Sequence, residues 1–113
     1  MKEWVLRFRA KDRANFLEIK ERSKTIETRA ATPRHRKIEN GDVLVFVCGK
    51  ERLRRNVKRV RFFKSINSMT KAISYKKIMP SLKSPKEMKA VYYDYSAYKD
   101  KIRKFGLIAL DLA

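Results

Sequence analysis

The residues best suited to chemistry lie in Ser23-Lys24-Thr25-Ile26-Glu27-Thr28-Arg29, where one carboxylate stands between two cations. An ionised glutamate in such a setting accepts hydrogen bonds from the exocyclic amine of a base, while lysine and arginine neutralise a phosphate or hold the carboxylate in place. If Thr25 to Arg29 is a strand, Thr25, Glu27 and Arg29 project to one side and Ile26 to the other, with Lys24 and Thr28 at the ends. Glu27 and Arg29 then share a cleft while Ile26 anchors the strand. The competing reading is an internal ion pair that only fixes the loop.

A Lys24–Glu27 pair also has the makings of an acid–base couple, since burial raises a glutamate pKa and neighbouring cations lower it. These two are the catalytic candidates if the chain is an enzyme. His35, in the loop cluster Arg34-His35-Arg36, can in principle support ribonuclease chemistry with Lys24 or Arg36, and equally can contact phosphate. It is the only histidine, and Cys48 the only cysteine. Neither a disulfide nor a zinc cluster can be built from them, so no metal and no cofactor is expected.

The elements that must position these groups follow from periodicity. Trp4 to Arg9 alternates as a strand, with Leu6 and Phe8 on one face. From Asp12 the pattern turns helical through Phe16 and Leu17 to Arg22. Asn40-Gly41-Asp42 is a turn that launches an apolar strand from Val43 to Val47. The next strand, Arg52 to Phe63, sets Val60 and Phe62 on one side and Arg59 and Arg61 on the other, so its basic residues form a row with Lys58. Ile66, Met69 and Ile73 predict a helix over 65–75. Ser84-Pro85-Lys86-Glu87 predicts a helix start with a capping box, running to about Lys99 or Lys104. Within it Tyr92, Tyr95 and Tyr98 have the spacing of a core face, and Tyr93 is the exposed ring. Gly106 ends the helix and Leu107 to Leu112 closes the chain as a strand. Strands joined mostly by turns give an α+β fold: one small mixed β-barrel domain over 1–113 with about three helices packed at one side.

Charge restricts the partners. The net charge is +18, from 30 Lys and Arg against 12 Asp and Glu. Self-repulsion on that scale points to a polyanionic partner, nucleic acid first. Arg34, His35, Arg36, Lys58, Arg59 and Arg61 are the candidate phosphate contacts, joined to the nucleotide-binding candidates Lys24, Glu27 and Arg29. No apolar run is long enough to span a bilayer, and no signal peptide or lipidation motif is evident, so a cytoplasmic protein without a membrane partner, monomeric, is expected.

The motif at Lys24, Glu27 and Arg29 resembles that of the ASCH domain family, a branch of the PUA-like superfamily with the pattern glycine-lysine-x-x-glutamate-x-arginine; Ser23 stands in place of the glycine. The likeness continues through Ile38 to Asp42, the strand after it, Lys58-Arg59-Val60, the late helix with its tyrosines, and Phe105-Gly106-Leu107. The resemblance implies a PUA-like barrel, a cleft between barrel and helices, and RNA as partner. Some relatives are described as ribonucleases, and one branch removes the acyl group from acylated cytidine. In that branch a threonine, which looks like the nucleophile, stands three positions after the motif lysine. Glu27 occupies that position here, so the motif favours recognition over hydrolysis by the same route.

Overall fold

The computed structural model describes all residues from Met1 to Ala113. Its five strands are β1 (Glu3–Phe8), β2 (Ile26–Ala30), β3 (Val43–Cys48), β4 (Glu51–Phe63) and β5 (Leu107–Leu112). They form one curled sheet in the order β1-β3-β4-β5-β2, parallel between β1 and β3 and antiparallel elsewhere. The curl is a half-barrel whose two free edges, β1 and β2, face each other across a gap. Arg29 Nη2 bridges it, donating to the Arg7 carbonyl at 3.3 Å.

The concave face carries Leu6, Leu44, Phe46, Cys48, Val57, Ile108 and Leu110, closed over by Phe16 and Ile19 of α1 (Arg13–Lys20). The convex face of β2 and β5 presents Ile26, Leu107 and Ala109 to four more helices: α2 (Ile66–Ala72), α3 (Tyr75–Ile78), α4 (Pro85–Asp94) and α5 (Tyr98–Phe105). The α+β half-barrel with helices is the architecture expected, but it has five helices rather than about three, and α1 plugs the concave side. One expected helix ends early and another is broken. Ser74 caps a new helix through Lys76 N–H, which separates α3 from α2. Tyr95 is extended and Ala97 takes φ +60°, which separates α5 from α4.

Two local readings acquire a different mechanism. Ser84 caps α4 by accepting from Glu87 N–H at 3.2 Å, but the Glu87 carboxylate takes the Lys83 N–H at 2.5 Å instead of completing the box. Asp42, placed in a turn, is buried, and its carboxylate accepts from the N–H groups of Lys2 and Glu39 and from Trp4 Nε1. That residue ties β1 to the start of β3.

In β4 a bulge between Val57 and Arg59 absorbs Lys58. The extra residue keeps Arg52, Arg54, Arg59 and Arg61 on one face although the spacing from 54 to 59 is odd. Arg55 lies on the other face, where its Nη2 reaches the Ile19 carbonyl at 3.5 Å. The row is also less bare than its sequence suggests. Glu3 pairs with Arg54 at 2.6 Å, and Asp111 takes Arg59 and Arg61 at 3.3 and 2.9 Å.

Candidate functional site: a cleft between the free sheet edges

β2 is short and lies at the sheet edge, so its alternation directs Ile26 and Thr28 to the helices and Glu27 and Arg29 to the gap facing β1. The gap widens into a cleft of about 250 Å³. Lys24, Glu27 and Arg29 lie at its base, Phe8, Arg7 and Arg9 come from the β1 side, and Tyr95, Ser96 and Tyr98 come from the α4–α5 junction. The volume is below that usual for drug-sized ligands and suits one compact ring system.

Glu27 is the hub. Its Oε1 accepts from Thr28 N–H at 2.9 Å and lies 3.4 Å from Lys24 Nζ, and its Oε2 accepts from Arg29 Nη2 at 3.2 Å. Lys24 also donates to the Ile78 carbonyl at 2.5 Å, which anchors α3 to the base of the cleft. The side chains of Lys24 and Glu27 are 2% and 5% exposed, against 19% for Arg29. An ionised carboxylate has about four acceptor positions, so three engaged donors leave one free.

The electrostatics follow from that arrangement. Burial alone would raise the Glu27 pKa, but Lys24, Arg29 and the Thr28 N–H outweigh it and hold the carboxyl below its ordinary value. Burial dominates at Lys24 and pulls its ammonium down, with Glu27 restoring only part of the loss. The result is a fixed anion flanked by one permanent cation and one weakened cation.

The aromatic wall was only partly legible. Tyr92 is buried as its spacing implies, and its hydroxyl meets that of Thr28. Tyr95 and Tyr98 pack half-buried against the same core, and all three rings also line the cleft, where the chain bends between Tyr95 and Ala97. Their rings meet edge to face at 5.2 Å, and the Arg9 guanidinium sits 4.6 Å above Tyr95. Burial pushes the Tyr95 phenol up to about 12 and raises that of Tyr98 despite the hydrogen bond it accepts from Ala30 N–H. Both phenols therefore remain neutral donors. Nothing in Ser96-Ala97 signals that bend, since alanine is the strongest helix former.

The remaining candidates divide by location. Arg34 and His35 border a groove that continues from the cleft through Arg7 and Arg29. His35 Nδ1 lies 3.1 Å from the Ala30 carbonyl, and its Nε2 faces Arg34 Nη1 at 3.2 Å. An arginine can only donate, so His35 is neutral with its proton on Nδ1. Burial lowers its pKa accordingly. Arg36 turns away to the Phe105 carbonyl and the Phe62 ring. Lys58, Arg59 and Arg61 border a different depression with Lys77 and Asp111, on the opposite face of the sheet from Glu27 and Arg29. The structure brings Lys24, Glu27 and Arg29 together and does not bring the basic strand to them. No three His, Cys, Asp or Glu side chains come together as metal ligands would.

A comparison with solved structures finds the same architecture over nearly the whole chain. The crystal structure of hypothetical protein PH0355 is similar with a TM-score of 0.78 and 26% identity, over 99% of this chain and 97% of that one. The solution structure of protein PF0455 from Pyrococcus furiosus gives 0.74 and 32%, over 97% and 94%. The chain belongs to the same family as PF0455. No protein-family model and no curated protein sequence matches it. The PF0455 family relationship thus extends over the cleft and both of its walls, since the alignment spans nearly every residue of each chain.

Proposed function

We propose that the chain is an RNA-binding domain of the ASCH type, which receives one nucleobase of a single strand in the cleft. The carrying observation is the buried Glu27 carboxylate with one acceptor position unfilled at the base of a pocket walled by Phe8, Tyr95 and Tyr98. That position suits an exocyclic amine, the rings suit a base face, and Arg7, Arg9 and Arg29 suit the flanking phosphates. Arg34 and His35 extend the path along the adjoining groove. Lys58, Arg59 and Arg61 would meet a strand only where it passes to the other face of the sheet, and Arg36 only near Phe105.

A second reading is supported by Lys24, whose weakened ammonium beside a carboxylate is suited to proton transfer in a small nucleoside- or RNA-acting hydrolase. The two separate in one experiment. Binding of a labelled single-stranded RNA is titrated at low salt for wild type and Arg29→Ala, with RNA and acylated cytidine monitored for turnover. Recognition predicts at least tenfold weaker binding in the variant and intact substrates. Unchanged affinity would sink it, and product formation abolished by Lys24→Met would select the hydrolase.

A further inference from the structure

On the side of α5 away from the cleft, a second depression of about 320 Å³ lies between the start of α2, the exposed face of α4 and α5. Lys64, Lys89, Lys99 and Arg103 line it around Tyr93, and no carboxylate does. None of the three lysines is within ion-pair distance of an acidic group; only Arg103 is, through Asp100 at 3.0 Å. Some arginines elsewhere are matched, as Arg9 is by Asp12, Arg54 by Glu3 and Arg61 by Asp111, but nothing acidic lines this depression to do the same. Convergent unpaired cations in a concavity repel one another, and an anion entering it relieves that repulsion. The ring at the centre is 39% exposed, with the Lys89 and Lys99 ammonium groups 5.9 and 5.5 Å from its centroid.

We infer that this depression is a second nucleotide site on the same RNA strand, in which a base stacks on Tyr93 and its phosphates lie among Lys64, Lys89 and Lys99. Cations alone would fit any polyanion. The accessible ring between them selects a ligand that has a flat π-face within reach of its own negative charge, which is a nucleotide. Identification of the ligand as RNA rests on the reading of the cleft. Tyr98 and Lys101 face the cleft while Lys99, Ile102 and Arg103 face the second site, so the two are separated by the thickness of one helix, about 10–12 Å. A strand crossing the end of α5 would occupy both.

The test uses a fluorescein-labelled single-stranded RNA of about eight nucleotides, within the span that one small domain covers. Affinity and its salt dependence are measured for wild type, Tyr93→Ala, Lys89→Gln/Lys99→Gln and Arg29→Ala. Tyr93→Ala should weaken binding roughly tenfold, as loss of one stacked base does. The double lysine variant should lower the slope of log affinity against log salt by about 1.4, the release expected of two phosphate contacts on a single strand. Photocrosslinking with 4-thiouridine in the RNA should map to Tyr93. If Arg29→Ala weakens binding while the Tyr93 and lysine variants leave affinity and slope unchanged, the second site is refuted and the cleft stands. The reverse pattern refutes the cleft and supports the second site. No binding by wild type refutes both.

Discussion

Glu27 and Lys24 are buried charges that answer each other, with Arg29 and the Thr28 N–H also on the carboxylate and the Ile78 carbonyl on the ammonium. Removing one partner of such a pair typically costs about 3–5 kcal/mol through the charge left behind, whereas exposed pairs like Arg103–Asp100 contribute little. The sign of the linkage at Glu27 is definite. A carboxyl whose folded pKa lies below its unfolded value stabilises the fold above the unfolded value, and that stability is lost as pH falls through the folded one. Carbon-detected NMR titration of the Glu27 carboxyl should therefore give a midpoint below the ordinary 4.3 or so in wild type and a higher one in Lys24→Met. Equal midpoints would mean that Lys24 does not hold the anion. His35 has the same direction of shift with the opposite charge type. Folded His35 carries fewer protons than unfolded His35, so stability declines as pH drops through about 6.5, and His35→Asn should narrow the gap between melting temperatures measured on either side of that pH.

At the scale of elements, the pattern of the chain was most legible where one face dominates. Val43 to Cys48 is buried throughout, and the alternation of Val60 and Phe62 against Arg59 and Arg61 holds in the folded strand. The motif strand was legible in the same way, because Ile26 demands a core and leaves Glu27 and Arg29 the other side. What escaped the sequence were contacts set by tertiary geometry. Nothing in Trp4 to Arg9 announces that Arg7, Phe8 and Arg9 face Glu27 across a gap, since that requires two sheet edges brought together by curl. The tyrosine run was legible as core packing but not as a cleft wall, because α4 ends at Asp94 and the irregular residues from Tyr95 to Ala97 also bring the rings to the gap. Gly106 was readable as a helix stop, and the structure adds a reason for its identity. At φ +76° and ψ −163° it occupies a region open essentially only to glycine, and a Cβ there would lie 2.5 Å from the Phe63 carbonyl oxygen. Gly106→Ala should cost about 3 kcal/mol or more, read from the denaturant midpoint. A loss below about 0.5 kcal/mol would mean that the α5–β5 junction is not rigid.

For the whole molecule, the dominant fact is a charge of +18 on a body of 30 × 26 × 25 Å. Self-repulsion at that density predicts that added salt raises the melting temperature of the free protein while weakening its hold on RNA, two opposite trends from one cause. No helix is long and apolar enough to cross a membrane. Ion pairs engage seven of the twelve acids, leaving cations at the cleft mouth, along its groove and around Tyr93. On the proposed reading, a nucleotide enters between the two free sheet edges. An amide NMR titration of isotope-labelled protein with single-stranded RNA at low salt tests it most directly. Shifts are expected at the backbone amides of Thr28, Arg29, Ser96 and Tyr98 that vanish in Arg29→Ala, and RNA binding that leaves those four amides unmoved would rule the cleft out.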